Sequence, residues 1–401
     1  MLYSATLTTM LNDWRLLFFS VALFLYALWG APTPDNPGIV EIAIGLVLFF
    51  ALCHVNLVHH IVGLIRDKKE YWQIALIALL LYGISIPLIG ALINGSSSIS
   101  IMRDMIGFAF LCLPVLLTSF LFGNKSRQRF FLFLVLIIGF LFSLRVLFPD
   151  FAFFYKTTEP LYLATSPLVL FSALFLVFLS CQKLFIRLKG VNIAFFIVGI
   201  LASLIMMMAM FVDVQRACFI ALLLSAIILF AIAFVKAPLR SLLPLGFVIC
   251  LLLVISPLVL DVLQNVQMKT SRVGLNMRFQ ELLAIWEVMQ ASPISVIFGQ
   301  GWGASFASPA VGGLHVTYSH SLLSYMFFKT GLIGLILTIF YLFFLFEKLV
   351  RLYLTEPVKG NALMWPLLIP ILFYASYKSL DFGLLLTLIL VSTMQKKETS
   401  A

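Results

Sequence analysis

Charged side chains are scarce in this sequence: Asp, Glu, Lys and Arg together make up 10% of its 401 residues, whereas 63% are hydrophobic. A soluble domain carries roughly 25% charged residues, so these few cannot cover a water-facing surface of this size. The apolar residues come in runs of about 17–25, the length at which a helix crosses a bilayer. Backbone in lipid must satisfy its own hydrogen bonds, which favours helices. The sequence therefore predicts an all-α, polytopic integral membrane bundle.

Several motifs are missing as well. The cysteines lie in or at the edge of apolar segments and form no C-x-x-C pair, which excludes a disulfide framework and a zinc signature; they are Cys53, Cys112, Cys181, Cys218 and Cys250. No P-loop and no glycine fingerprint of a dinucleotide-binding fold is present. There is also no D-x-D pair to hold a metal-bound nucleotide sugar, so a glycosyl donor would be lipid-linked. We expect neither a metal nor another cofactor.

The basic residues alternate from loop to loop, which indicates membrane orientation rather than nucleic-acid binding, despite a net charge of +10. One set of alternate loops is rich in Lys and Arg: Arg66/Lys68/Lys69, Lys125/Arg127/Arg129, Lys183/Arg187/Lys189, Lys236/Arg240 and Lys348/Arg351/Lys359. The other set is sparse, and the loop Pro32–Gly38 contains neither residue type. Because cytoplasmic loops hold the excess of Lys and Arg, we predict that both termini are cytoplasmic.

An even number of spans follows, and we predict about twelve transmembrane helices. The centres lie near Ala22, Val47, Leu80, Leu113, Val135, Phe171, Gly199, Ala226, Cys250, Leu335 and Ile369, and the last span runs from about Phe382 to Thr393. The last span is short and could form one broken helix with its predecessor, which would leave eleven. We divide the chain into residues 1–260 with transmembrane helices 1–9, residues 261–319 as a large periplasmic loop, and residues 320–401 with helices 10–12 and a cytoplasmic tail.

The loop of residues 261–319 contains a helical pattern over Arg272–Ala291. Its apolar residues recur at spacings of three and four and form one stripe; they are Leu275, Phe279, Leu282, Trp286 and Met289. The pattern predicts an amphipathic helix that lies on the membrane surface or over the outer mouth of the bundle.

Arginines on the predicted outer side are unexpected, because the orientation rule disfavours them there. Arg216 sits in a very short turn between two apolar segments. It is either an interfacial arginine that extends to lipid headgroups or an anion ligand, since a guanidinium makes planar, bidentate contacts to phosphate. The others on this side are Arg103, Arg145, Arg272 and Arg278.

Two histidines, His315 and His320, also lie on the outer side. Their spacing of five does not suit a helical metal pair, which needs three or four. His320 opens the next predicted span and is either a solvated helix-start residue or a general base, because an imidazole accepts a proton near neutral pH. We favour His320 over His315, since a helix holds a side chain more precisely than a loop does.

The later part of the chain resembles the O-antigen ligase/polymerase superfamily. The residues that carry the resemblance stand in the order arginine, tryptophan, glycine-rich turn, histidine and small-residue helix: Arg278, Trp286, Pro293, Phe298–Gly303, Ser319–Leu322 and Lys329–Leu335. The family's earlier arginine is matched by Arg216. In the family, Asn usually follows the histidine, whereas this chain has Ser321.

The resemblance implies a glycosyltransferase of the bacterial inner membrane with a periplasmic active site. Such enzymes pass a glycan from undecaprenyl pyrophosphate to a saccharide acceptor, which is lipid A-core for ligases and another lipid-linked repeat unit for polymerases. By this resemblance Arg216 and Arg278, with Arg272 as a further candidate, bind the pyrophosphate, and His320 activates the acceptor hydroxyl. Ligase and polymerase both remain open, and the alternatives from other classes are a lipid-linked oligosaccharide flippase and a structural membrane subunit.

Overall fold

The computed structural model describes residues 13–32, 38–52, 70–151, 160–186, 190–212, 215–236 and 277–394. Helices dominate this part of the chain. In chain order they are α1 (Trp14–Trp29), α2 (Ile39–Leu52), α3 (Tyr71–Ile93), α4 (Ser98–Cys112), α5 (Pro114–Leu121), α6 (Lys125–Leu147), α7 (Pro160–Ala164), α8 (Pro167–Ile186), α9 (Gly190–Val212), α10 (Arg216–Lys236), α11 (Arg278–Gln290), α12 (Pro293–Phe298), α13 (Leu322–Thr355), α14 (Pro357–Leu372) and α15 (Leu380–Met394).

A small antiparallel hairpin and two short 3-10 turns complete the described elements. Strand β1 (Phe306–Ser308) pairs with β2 (Leu314–Val316), and a 3-10 turn, Pro309–Val311, joins them. The second 3-10 turn, Ala375–Lys378, separates α14 from α15. The hairpin lies between α12 and α13 in the chain, and it contributes a side chain to the candidate site described below.

The helical membrane character predicted from composition is confirmed. Within the described residues, five helical segments are long and apolar enough to cross a membrane: Tyr71–Ile93, Ser98–Leu121, Lys125–Leu147, Gly190–Val212 and Leu322–Thr355. Shorter apolar helices accompany them: Trp14–Trp29, Ile39–Leu52, Pro167–Lys183, Arg216–Ile232 and Leu380–Thr393. The predicted span centres in the described residues fall on helices, apart from Leu113 at the junction of α4 and α5. The centre at Cys250 lies outside the described residues, so the total of twelve spans stays a prediction.

The core of the bundle is centred on α15. This helix is mostly apolar, and nearly every residue from Leu380 to Val391 is buried, including Asp381, as expected for a helix enclosed by others. α4, α5, α8, α13 and α14 pack around it. The 3-10 turn before α15 makes α14 and α15 separate helices rather than one.

Helix α13 is broken at Gly331, where φ is 65° and ψ is −166°. Only glycine adopts this backbone region readily, and a Cβ here would stand 2.3 Å from the carbonyl oxygen of Ile297. A break in a helix leaves carbonyl groups without their helical donors. Donors from elsewhere replace them: the amides of Gln300 and Gly301 bind the carbonyls of Phe328 and Lys329 at 2.9 and 3.0 Å, and the Tyr82 hydroxyl binds that of Thr330 at 2.8 Å.

A second irregular helix meets the same glycine-rich turn. Pro87 lies inside α3 and has no N–H, so the carbonyl of Gly83, four residues earlier, lacks its helical donor. The indole Nε1 of Trp302 donates to this carbonyl at 2.7 Å, and the Trp302 amide donates to the Pro87 carbonyl at 3.1 Å. The turn Gly299–Gly303 therefore donates hydrogen bonds to backbone carbonyl groups of two interrupted helices, and in this way it joins α3 to α13.

Two ion pairs link residues of the lysine- and arginine-rich loops to residues that precede helices. Arg127 pairs with Asp13, directly before α1, and Lys348 pairs with Glu70, directly before α3. All four residues belong to segments that the sequence predicts on the cytoplasmic side. The pairs thus agree with the predicted alternation of loops.

Candidate functional site

Helix α11 carries the residues that anchor the candidate site. It begins at Arg278, and Met277 before it has a left-handed backbone with φ of 54°. The prediction of a continuous helix from Arg272 to Ala291 is therefore wrong at its start, because an α-helix cannot continue through a residue with a left-handed backbone. Arg272 itself, predicted to bind pyrophosphate, lies outside the described residues.

The buried face of α11 also differs from the predicted stripe. The bundle covers Glu281, Ile285 and Met289, which recur at intervals of four. Met289 alone belongs to the predicted stripe, and the buried face includes a carboxylate. The predicted members of the stripe that stay exposed are Phe279, Leu282 and Trp286. The indole of Trp286 stacks on Phe327 with 6.2 Å between ring centroids.

Glu281 forms a close pair with His320. Its two carboxylate oxygens lie 3.0 and 3.2 Å from the imidazole Nδ1, and one of them also accepts the backbone N–H of His320 at 3.1 Å. The Ser308 hydroxyl on β1 donates to the same carboxylate at 2.8 Å. The glutamate is buried, whereas 17% of the histidine side chain is exposed. Glu281 is thus fixed by several donors and holds the imidazole at the surface.

This geometry determines the role of each imidazole nitrogen. An ionised carboxylate only accepts hydrogen bonds, so Nδ1 carries the proton and the neutral ring keeps Nε2 as an acceptor. Burial raises the pKa of Glu281, but the hydrogen bonds from His320 and Ser308 outweigh burial and leave that pKa below its usual value. The pair therefore persists to a lower pH than an ordinary glutamate would allow. This arrangement suits a general base whose orientation is set by a carboxylate.

His320 does not open helix α13, which corrects the prediction. The helix begins at Leu322, and Ser321 is its N-cap residue. The Ser321 hydroxyl also donates to the carbonyl of Ile371 at the end of α14, at 2.9 Å. Serine and asparagine are both good N-cap residues, so Ser321 retains this capping function where the family usually has Asn. His320 is held by Glu281 rather than by a helix.

His315 has a different environment. It lies on β2 opposite Ala307 and is exposed. Among the described residues no group of three His, Cys, Asp or Glu side chains could hold a metal ion. Of these two histidines, His320 is the one whose ring a buried carboxylate holds in place.

Arg216 and Arg278 come from distant parts of the chain and act on the same tyrosine. Burial raises the pKa of Tyr374 to about 12, and the charges of both arginines oppose that rise. The pKa of Arg278 lies below its usual value, mainly because of burial and also because Arg216 is near, while the charge of Glu281 opposes the decrease. The charges at the start of α10 and the start of α11 therefore act on each other and on the segment after α14, and Arg278 also interacts with Glu281.

Arg103 and Arg145 are the other predicted outer arginines that the structure describes. Arg145 is buried in α6 and donates to the carbonyls of Ala27 and Gly30 at 3.2 and 2.9 Å, so it binds the end of α1. Arg103 is on α4, beside the buried Asp104. Sequence reasoning missed Glu281 because its partner follows 39 residues later. The only local signal was its position one helical turn after Arg278, where two side chains share a face.

These features define a helical membrane protein in which a carboxylate orients a histidine, one arginine interacts with that carboxylate, and a second arginine interacts with the first. Residues 201–339 match the family model for O-antigen ligase. The matched range includes Arg216, Arg278, Glu281 and His320, and it confirms the resemblance to the O-antigen ligase superfamily drawn from the motifs. No curated protein matches this chain.

Proposed function

We propose that this protein is a membrane glycosyltransferase that transfers a glycan from undecaprenyl pyrophosphate to a saccharide acceptor on the periplasmic side of the bacterial inner membrane. The acceptor is lipid A-core if the protein is a ligase and another lipid-linked repeat unit if it is a polymerase. The observation that carries the proposal is the Glu281–His320 pair beside Arg216 and Arg278.

In this reaction the acceptor hydroxyl attacks the anomeric carbon of the donor sugar. Nε2 of His320 takes the hydroxyl proton as the new glycosidic bond forms. Glu281 stabilises the imidazolium that results, through the hydrogen bond to Nδ1. The bond between the anomeric carbon and the pyrophosphate oxygen breaks, and Arg216 and Arg278 stabilise the departing diphosphate.

The placement of charge supports the periplasmic assignment. The site residues come from segments that the sequence predicts on the outer side, whereas the ion pairs Arg127–Asp13 and Lys348–Glu70 join segments predicted inside. A flippase, the alternative from another class, would translocate the lipid-linked glycan and form no glycosidic bond. The two functions therefore differ in product.

Reconstitution into vesicles with undecaprenyl-pyrophosphate-linked repeat units tests the proposal. Chain elongation would identify a polymerase, and transfer to added lipid A-core would identify a ligase. If the lipid-linked glycan only crosses the bilayer and no new glycosidic bond forms, the enzyme assignment is wrong.

Arg216 provides the sharpest variant for this assay. Arg216→Ala should lower turnover by about tenfold or more, the effect of one charge-assisted hydrogen bond, with little change in folding. Arg216→Lys should restore only part of it, because lysine lacks the planar, bidentate geometry. Arg351, which is exposed and pairs with Glu347 one turn away, provides the control: Arg351→Ala should transfer normally. Full activity in Arg216→Ala would remove its pyrophosphate role.

A further inference from the structure

A second group of charged side chains is buried next to the candidate site. Asp104 on α4 lies 2.5 Å from the ammonium of Lys329 on α13 and 2.9 Å from that of Lys378 in the 3-10 turn before α15. The amide of Gly303 donates to the same carboxylate at 2.8 Å. We refer to Asp104, Lys329 and Lys378 as the lysine cluster.

The charges of the lysine cluster do not balance. Two ammonium groups share one carboxylate. Burying a charge without a counter-charge is unfavourable. Lys329 alone would neutralise Asp104, and it also donates to the carbonyl of Ala304 at 2.5 Å. A purely structural ion pair would therefore not require Lys378.

Lys378 is also the member of the cluster that a ligand could reach. About a tenth of its side chain is exposed, whereas Asp104 and Lys329 are fully buried. Its ammonium lies 5.8 Å from the centroid of the Tyr318 ring. The same ring lies 5.6 Å from that of His320. One half-buried tyrosine thus contacts both the base and the surplus lysine.

This position corresponds to the acceptor rather than the donor. The acceptor hydroxyl must approach Nε2 of His320, so the sugar that carries it lies beside Tyr318. Aromatic faces provide apolar area for such a ring, and an acidic substituent on that sugar would come within reach of Lys378. A lysine offers a compact charge on a flexible stem, which suits an anion at varying positions.

We propose that Lys378 binds an anionic substituent, a carboxylate or a phosphate, on the acceptor sugar, and that Lys329 is a positioning residue that acts through Asp104. The proposal rests on the proposed function, since it takes His320 to mark the place of the acceptor hydroxyl. It specifies an acidic acceptor glycan.

Direct binding to the purified protein in nanodiscs of phosphatidylcholine tests the proposal, because this lipid adds no net anionic headgroup. The probes are glucuronate, glucose 6-phosphate and glucose. Wild-type protein should bind at least one acidic sugar about tenfold more tightly than glucose, the effect of a charge-assisted hydrogen bond, and the stronger of the two acids identifies the substituent. Equal binding of all three sugars, or no detectable binding, overturns the proposal without any variant.

Variants then test whether Lys378 is the residue that causes the preference for acidic sugars. Lys378→Gln should abolish the preference for acidic sugars, and Lys378→Arg should retain part of it. The control Lys348→Gln removes a lysine that pairs with Glu70 and should keep the full preference. If Lys378→Gln fails to fold, partial retention in Lys378→Arg still supports the proposal, and unchanged selectivity in a folded Lys378→Gln protein contradicts it.

Inorganic pyrophosphate separates this proposal from the proposed function. Arg216→Gln should weaken pyrophosphate binding and leave the preference for acidic sugars unchanged. If Arg216→Gln leaves pyrophosphate binding normal, the donor site is wrong, while the lysine subsite can still hold. If Lys378→Gln weakens pyrophosphate instead of glucuronate, Lys378 belongs to the donor site and the acceptor proposal fails.

Discussion

Glu281 and Asp104 are both buried carboxylates beside the first part of helix α13, yet their partners differ. Glu281 accepts hydrogen bonds from an imidazole, a hydroxyl and an amide, and only the imidazole has a further nitrogen that can accept a proton. Asp104 faces two ammonium groups. The first carboxylate keeps a proton acceptor oriented at the surface, and the second pairs with two ammonium groups at a site where burial disfavours their charge. The partners, rather than the carboxylate itself, therefore determine whether such a group serves chemistry or stability.

The largest effect should follow removal of the structural carboxylate. Asp104→Ala leaves two buried ammonium groups unpaired, which costs about 3–5 kcal/mol of unfolding free energy. Denaturant unfolding in detergent measures this loss. Glu347→Ala, which breaks an exposed pair with Arg351, should change stability by less than about 1 kcal/mol. Normal stability in Asp104→Ala would show that the comparison assigns Asp104 the wrong role.

His320→Ala should leave the protein folded and lower turnover by about a hundredfold or more, the contribution of a positioned general base. Binding of the lipid-linked donor should persist, because the arginines remain. The matched control is His315→Ala, which removes an exposed imidazole from β2 and should transfer nearly normally. The reverse result would identify His315 as the base, and no effect of either variant would leave deprotonation to another group.

Glu281→Gln preserves shape but removes the charge that stabilises the imidazolium. Turnover should fall about tenfold, as for the loss of a hydrogen bond to a charged group. Because the two residues act as a unit, Glu281→Gln combined with His320→Ala should be no slower than His320→Ala alone. Glu287→Gln on the exposed face of the same helix is the control. Additive losses in the double variant would indicate that Glu281 does not act through His320.

The smallest effect concerns the turn that joins α3 and α13. Trp302→Phe deletes the donor to the Gly83 carbonyl and should cost about 1 kcal/mol for that hydrogen bond, in addition to lost packing. In a Pro87→Ala background the new amide supplies the missing donor, so the same substitution should cost less. A double-mutant cycle of unfolding free energies measures the difference. Equal costs in the two backgrounds would rule out this compensation.

The sequence predicted the helices well because apolar runs are local features. The runs around Leu80, Val135 and Gly199 each became a single long helix. Interruptions were harder to predict: Lys329–Leu335 has the composition of a small-residue helix, and the break at Gly331 depends on donors from the turn before it and from α3. Helix α11 was found, but its start was displaced, since a left-handed Met277 leaves no pattern in the sequence.

The site residues could be predicted one by one but not as an arrangement. Arg216, Arg278 and His320 were selected by side of the membrane and by family resemblance. Glu281 was not selected, because its burial depends on donors that come from β1 and from the residues before α13. The sequence offered no reason to select Lys329 or Lys378 as charged site residues, since only the folded chain brings them to Asp104.

The break at Gly331 has a consequence for how the chain can vary in length. An α-helix turns about 100° per residue. The number of residues from Leu322 to Thr330 therefore fixes the rotation of His320 relative to the turn Gly299–Gly303. One residue added there would rotate the imidazole away from Glu281. The exposed hairpin turn at Gly312 and Gly313 lies outside this phase relation. Insertions and deletions should therefore be tolerated in the hairpin turn, whereas the number of residues between Leu322 and Thr330 should not change.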